Sequence, residues 1–84
     1  MILHVTKAVY IKDYCIEVWF NDGVHGIVNF ADDAIFDSPM FSSLKSPETF
    51  KDFTVDPEIN TIVWSNGADL APEYIESKLV RQLT

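Results

Sequence analysis

The sequence predicts an α+β domain: an antiparallel sheet of about five strands, formed by a three-strand meander plus a hairpin, with short central helical turns and a C-terminal helix packed on the sheet. Three observations predict it. β-Branched and aromatic residues alternate through residues 4–30 and return in residues 53–64. Serine–proline steps, which are typical of helix starts, lie between these stretches, and apolar residues recur at helical spacing after residue 70. With 84 residues, no linker and no repeat, residues 1–84 are predicted to form a single domain with one modest core.

The first half is predicted to be the meander. Residues 4–11 and 14–20 have strand character, and a short polar break separates them. An Asp-Gly step before the next strand is one of the strongest hairpin signals. If Asp22 and Gly23 are the two loop residues, the register places Trp19 opposite Gly26. This arrangement is predicted to leave the ring of Trp19 less covered than that of the second tryptophan.

Short helical turns are predicted between the meander and the second hairpin. Ser38 and Ser46 each place an N-capping hydroxyl directly before a proline, the residue that suits the first helical position. Asp32, Asp33 and Asp37 resemble an acid–base or metal-binding cluster, but acids at helix starts are also what the helix dipole favours. Capping and solvation are therefore the interpretation that we prefer.

The second hairpin is predicted to end in a tight strand-turn-helix junction. Its strands are residues 53–55 and 61–64, and an Asn-Gly step follows the second strand. Asn66 and Gly67 both tolerate positive φ, so the chain can reverse sharply there. Asp69 is predicted to be the N-cap of the following helix.

That C-terminal helix is predicted over roughly residues 70–82. Pro72 suits its first turn, where backbone N–H groups need no partner. Ile75, Leu79 and Leu83 form one stripe at a spacing of four residues. The stripe is predicted to pack on one face of the sheet.

Charge and hydropathy exclude several classes of function. Six basic residues face 13 acidic ones, for a net charge of −7, and the basic residues are scattered, so direct binding of nucleic acid is not expected. The longest apolar runs reach four residues at most, whereas about 20 are needed to span a bilayer. The first residues lack the features of a signal peptide, and the single cysteine, Cys15, agrees with a reducing compartment. A cytoplasmic location is predicted.

No catalytic, metal or cofactor site is predicted. His4, His25 and Cys15 match no zinc-binding spacing and lie on different predicted strands. The serines occupy helix-start positions, where capping already accounts for them, and the three glycines lack a phosphate-binding spacing. The protein is therefore predicted not to be an enzyme.

Aromatic residues exceed what so small a core requires. Trp19 and Trp64 are accompanied by three tyrosines and six phenylalanines. Core filling explains such a set, but tryptophan and tyrosine are also enriched in binding hot spots. An aromatic contact patch is the alternative. The net charge suits a basic partner better than an acidic one, but conferring solubility is the effect of charge that we prefer as its explanation.

Several segments resemble a family of small bacterial proteins known as domain of unknown function 2442. The closest similarity is at residues 64–73, WSNGADLAPE, and it extends to residues 55–58, 61–63 and 18–23. Two positions depart from the family pattern: Ser65 stands where proline is common, and Ala71 where an acid is frequent. The resemblance singles out Trp64, Asn66, Gly67 and Asp69, to which we assign the roles of anchor, turn, turn and cap.

The resemblance implies an α+β fold without an established enzymatic activity, in proteins that stand alone or are joined to a helix-turn-helix domain. Short members resemble one half of a toxin–antitoxin pair in their genomic setting. The leading hypothesis is a non-enzymatic, antitoxin-like or accessory interaction module with a protein partner; a homo-oligomer is compatible with it. The alternatives are a small-ligand-binding domain and a regulatory domain that acts with a DNA-binding chain. Candidate binding residues are Trp19, Trp64, Asn66, Gly67 and Asp69.

Overall fold

Two small antiparallel sheets and several short helices form the fold. A computed structural model describes residues 2–31 and 33–79. The elements are, in chain order, β1 (Val5–Lys12), β2 (Cys15–Phe20), β3 (His25–Asn29), a 3-10 helix (Ala34–Asp37), α1 (Pro39–Ser42), α2 (Pro47–Phe50), β4 (Phe53–Asp56), β5 (Thr61–Trp64) and α3 (Pro72–Ser77). The predicted α+β class, with a three-strand meander, a hairpin and a C-terminal helix, is confirmed.

The five strands divide between two sheets rather than forming the single sheet of about five strands that the sequence predicted. The meander has the order β1-β2-β3, and β4 and β5 form a separate two-stranded sheet. A backbone hydrogen bond joins the two, since the N–H of Val5 donates to the carbonyl of Asn60 at 2.9 Å. The hairpin is thereby held against the start of β1.

The turn between β2 and β3 differs from the prediction by one residue. The N–H of Phe20 donates to the carbonyl of Val24 at 2.9 Å, so the loop has three residues rather than two. Gly23 takes a φ of +89°, the left-handed conformation that closes a three-residue hairpin loop. Asp22 fixes the loop by accepting the N–H of Val24 at 3.0 Å.

The observed register between β2 and β3 differs from the predicted one. Trp19 lies opposite His25, and Val18 lies opposite Gly26. The prediction that Trp19 faces Gly26 is therefore wrong. Because side chains alternate along a strand, the shift by one residue exchanges the two faces of β3 and brings Val28 rather than Ile27 into the core.

The core lies between the inner face of the meander, the hairpin and the helices. Its largest fully buried side chains come from all of these elements: Phe30, Phe50, Ile16, Ile62, Ile75, Val18 and Val28. Ile75 attaches α3 to this core, as predicted, and Leu79 packs against its edge. The helix is shorter than predicted in the described residues, because it begins at Pro72 and ends at Ser77. Leu83 and residues 80–82 of the predicted helix lie outside the described residues.

The short central helices begin where the sequence predicts, but not every predicted capping hydrogen bond is formed. Ser38 and Ser46 are the N-cap residues of α1 and α2, each followed by proline, yet neither hydroxyl makes a capping hydrogen bond. Asp33 does cap the 3-10 helix, accepting the N–H of Ile35 at 3.0 Å. Asp32 lies outside the described residues. In the described part of the chain, every helix is too short or too polar to cross a membrane.

Candidate interaction surface

The outer side of the meander is exposed. Ile16, Val18 and Phe20 of β2 point into the core, so the alternate side chains of this strand point outward. Their partners on β1 and β3 point the same way, because directly opposed residues of antiparallel strands share a face. We call this surface the open face; it consists of Lys7, Val9, Lys12, Cys15, Glu17, Trp19, His25, Ile27 and Asn29.

The register arranges the open face in rows that run across the three strands. One row is Lys7, Trp19 and His25, and the next is Val9, Glu17 and Ile27. Val9 and Ile27 each keep 42% of their surface exposed. Apolar side chains thus flank a single carboxylate beside a tryptophan.

Trp19 is held in a defined position within its row. Its ring stacks on that of His25, with centroids 6.0 Å apart and an interplanar angle of 16°. The Nζ atom of Lys7 lies 4.9 Å from the centre of the Trp19 ring, within the range of a cation–π contact. Trp19 is half-buried, so it is less covered than Trp64, as predicted. A fixed, partly exposed tryptophan is the kind of side chain that anchors protein interfaces.

Glu17 occupies the centre of the open face. Its side chain is 34% exposed, and its Oε2 lies 4.0 Å from Nδ1 of His25. This contact is an ion pair only when His25 is protonated. With neutral histidine, the Glu17 carboxylate is free to pair with a cationic group brought by a partner.

The second tryptophan has a different environment. Trp64 is 2% exposed, and its ring contacts those of Phe41, Phe50 and Phe53 at centroid distances of 5.6–6.1 Å. Its indole N–H donates to the carbonyl of Phe50 at 2.8 Å. Trp64 is therefore the anchor that we expected from the resemblance, and its burial leaves it no direct contact with a partner.

Asn66 and Gly67 form a turn of the same type as the one after β2. Trp64 N–H donates to the carbonyl of Ala68 at 2.8 Å, and Gly67 has the predicted positive φ, +90°. The carbonyl of the Asn66 side chain accepts the N–H of Ala68 at 3.0 Å. Its amide nitrogen donates to the carbonyl of Met40 at 2.9 Å, which ties the turn to α1. Asn66 itself does not have positive φ.

Asp69 does not cap the C-terminal helix. The N-cap is Ala71, which makes no side-chain capping bond, and Pro72 is the first helical residue. Asp69 instead forms an antiparallel bridge with Val63, and Leu70 N–H donates to the carbonyl of Ile62 at 3.4 Å. The predicted strand-turn-helix junction is therefore a strand-turn-strand step, and the helix starts afterwards. Asp69 is exposed on this short returning segment.

A second polar cluster, between the 3-10 helix and α3, had no sequence signal because its members are far apart in the chain. The side chain of Asp33 is 4% exposed and accepts a hydrogen bond from the hydroxyl of Tyr74. The Nζ atom of Lys78 lies 3.4 Å from its second oxygen. Asp33 therefore has the capping role that the sequence suggested, but its carboxylate is buried rather than solvated.

These contacts shift two pKa values. Burial raises the pKa of Asp33, but the hydrogen bonds from Tyr74 and the Ile35 N–H, together with the charge of Lys78, lower it by more, so its net pKa lies below the usual value. Burial, followed by the bond to Asp33, raises the pKa of Tyr74 to about 12. The phenol thus stays protonated near neutral pH and serves as a hydrogen-bond donor.

The cluster offers little to a ligand. An open depression beside it is lined by Asn29, Ala31, Asp33, Ala34 and Lys78. The Asp33 carboxylate already accepts bonds from Tyr74 and Ile35 and pairs with Lys78. Within residues 2–31 and 33–79, His, Cys, Asp and Glu side chains form no group of three or more suited to a metal ion.

The comparison with known families agrees with the sequence resemblance. The family model described as "Protein of unknown function (DUF2442)" matches residues 5–80. The chain belongs to this family. Among the curated proteins and the solved structures, no match was found. The match spans both the open face and the Trp64–Asp69 turn of this DUF2442 protein.

In this DUF2442 protein, Tyr74→Phe is expected to lower the free energy of unfolding by about 1.5 kcal/mol at pH 7, because it removes one hydrogen bond to a buried carboxylate. Asp33 has a lowered pKa in the folded state, so its contribution is present above the unfolded pKa, near 3.8, and is lost as the pH falls through the folded value. The stability difference between wild type and variant should therefore shrink below about pH 4. It should also shrink above pH 10 and vanish past the folded pKa of Tyr74, about 12.

Urea denaturation of both proteins across this pH range, monitored by circular dichroism, measures the difference directly. Asp33→Asn is the control, since it removes the titrating group and should flatten the acid limb. A difference that stays constant from neutral pH to pH 3 would contradict the assignment of the Asp33–Tyr74 bond.

Proposed function

We propose that this protein is a non-enzymatic, antitoxin-like interaction module, active in the cytoplasm, that holds a basic protein partner on its open face. The observation that carries the proposal is the row of Lys7, Trp19 and His25 beside the row of Val9, Glu17 and Ile27. A stacked tryptophan and two exposed aliphatic side chains supply apolar contact, and one carboxylate supplies selectivity for a cation.

The distribution of charge favours a basic partner. Of the net charge of −7, residues 5–29 contribute −1, from two lysines and three acids, so the rest of the chain contributes −6. The field of the remaining acids attracts a basic protein from a distance. The nearly neutral meander then allows apolar contact without strong repulsion.

The same distribution of charge disfavours direct binding to DNA. The purified protein is expected to bind duplex DNA no more tightly than about 10⁻⁴ M at physiological salt, because binding requires several cations that neutralise neighbouring phosphates. A gel-shift or fluorescence-anisotropy titration measures this. Micromolar binding that weakens steeply with added salt would contradict the conclusion that the charge distribution disfavours DNA binding.

The test of the proposal begins with affinity capture from the native host on two immobilised baits, wild type and Trp19→Ala. A protein that wild type retains and Trp19→Ala loses is then produced separately, and its binding kinetics are measured. We expect a basic protein whose dissociation from Trp19→Ala is at least about tenfold faster, since buried aromatic anchors mainly set the lifetime of a complex.

Two further variants separate apolar contact from electrostatic steering. Neutralising the exposed acids Asp37, Glu48 and Asp52 together should mainly slow association and flatten its dependence on salt. Asp33 is not used, because its carboxylate is buried and its loss would alter folding. Ile59→Ala, at a side chain 45% exposed on the turn of the second hairpin, should leave both rates unchanged. Equal losses of binding in Trp19→Ala and Ile59→Ala would contradict a role for the open face.

A further inference from the structure

Strand β3 forms a free edge of the meander. Among the described residues it pairs only with β2, on one side. At its two ends, the carbonyl of Val24 accepts the N–H of Phe20, and the N–H of Phe30 donates to the carbonyl of Tyr14, each at 2.9 Å. Backbone groups alternate in direction along an antiparallel strand. Residues 25, 27 and 29 therefore direct their N–H and C=O groups away from β2.

These outward backbone groups make no backbone hydrogen bond within the described part of the chain. The side chains of His25, Ile27 and Asn29 are likewise exposed. An unpaired edge of this kind is a template for another strand. Natural sheets protect such edges with lysine, other charges, proline or a bulge, but β3 reads His-Gly-Ile-Val-Asn and has none of the protective residues.

We propose that two copies of this protein pair through their β3 strands, antiparallel, with Ile27 opposite Ile27 across a two-fold axis. In this register residue 25 faces residue 29 of the second copy, and every outward backbone group of the three residues finds a partner. About six backbone hydrogen bonds form. Sliding either strand by two residues reduces the number to about four, so the register centred on Ile27 is favoured.

The side chains of β3 are complementary to those of a second β3. On the open face, Ile27 contacts its symmetry mate, and the imidazole of His25 lies beside the Asn29 amide, a pair that can share a hydrogen bond. On the inner face, Gly26 lies opposite Val28 and leaves room for its side chain. A two-fold interface requires such self-complementarity, because each residue meets the partner position that it also provides.

Charge supports a second copy at this edge rather than elsewhere. Two molecules of net charge −7 repel each other, and the repulsion is smallest where the fewest acids meet. β3 has no acidic or basic residue apart from His25, and residues 5–29 together contribute only −1. The pairing joins two meanders into one continuous sheet and leaves Trp19 of each copy on the open face. The pairing therefore does not require the partner proposed above, although Ile27 belongs to both surfaces.

Sedimentation equilibrium of the full chain from about 10 µM to about 1 mM tests the proposal, because an interface of a few backbone bonds gives a weak, concentration-dependent dimer. We expect wild type to pass from monomer to dimer within this range. Ile27→Lys places two lysines face to face at the axis and should weaken association at least about tenfold. Ile27→Pro removes an outward N–H that wild type does not use internally, and should abolish association.

Val9→Lys is the matched control. Val9 flanks Glu17 in the same row as Ile27, with the same 42% exposure, but lies on β1. Pairing through β3 predicts dimerisation within about twofold of wild type for this variant, whereas face-to-face packing of two open faces predicts losses as large as those of Ile27→Lys. Circular dichroism confirms that each variant is folded. A wild type that stays monomeric to about 1 mM, or equal losses in Val9→Lys and Ile27→Lys, would overturn the proposal.

Discussion

Replacing Trp64 with alanine is expected to lower the free energy of unfolding by about 3–5 kcal/mol. The indole is 2% exposed, contacts Phe41, Phe50 and Phe53, and donates a hydrogen bond to the carbonyl of Phe50. Truncation leaves a large cavity and an unpaired buried carbonyl. A domain of this size has a total stability of roughly 5–10 kcal/mol, so much of the population should be unfolded in mild urea.

Trp19→Ala provides the contrast, because its ring lies on the open face. We expect it to fold and to lose no more than about 1 kcal/mol, from its contacts with His25 and Lys7. Urea denaturation followed by circular dichroism compares the two variants on one scale. If Trp19→Ala unfolds the domain as Trp64→Ala does, then Trp19 is a core residue and the aromatic part of the proposed surface is lost.

Gly67→Val is expected to cost about 1–3 kcal/mol, because a β-branched residue is strained at a φ of +90°. A Cβ atom at this position would lie 3.6 Å from the terminal methyl of Met40, which is an ordinary contact. The backbone conformation alone therefore accounts for the expected loss. Thermal and urea denaturation provide the measurement.

The turn after β2 provides a matched position for this prediction. Gly23 has a φ of +89°, and a Cβ atom there would meet nothing within 4 Å, so Gly23→Val should cost about the same as Gly67→Val. Gly67→Asn should cost less than Gly67→Val, because asparagine tolerates positive φ. An unchanged melting temperature for Gly67→Val would contradict the claim that the positive φ at this turn excludes a β-branched residue.

Local interactions explain which structural predictions were correct. The positions of the two glycine turns and of the serine–proline helix starts, and the strand character of residues 15–20, depend on neighbouring residues in the chain. The anchor role of Trp64 follows from its size and apolarity at the end of a strand. Such features are encoded within a few residues, and tertiary contacts here reinforce rather than oppose them.

The errors arose where two local solutions were close in energy. Asp22-Gly23 suits a two-residue loop as well as the second half of a three-residue loop, and the choice moved His25 opposite Trp19. Asp69 suits an N-cap and is uncommon in strands, so its pairing with β5 is decided by the backbone of the segment after the turn and not by its side chain. Its bridge to Val63 and the hydrogen bond from Leu70 to Ile62 extend the β-structure before the helix begins.

The sequence by itself determined the fold class, the three-strand meander and hairpin, the positions of the two glycine turns and the acidic character of the protein, because these depend on composition and on spacing of a few residues. The tertiary structure alone decided which residue lies opposite Trp19, which face of β3 is buried, and that Asp33 meets Tyr74 across 41 positions of sequence. Packing selects among registers and partners that the local sequence leaves nearly equal in free energy. The open face and the free β3 edge therefore could be identified only from the strand order and register of the tertiary structure.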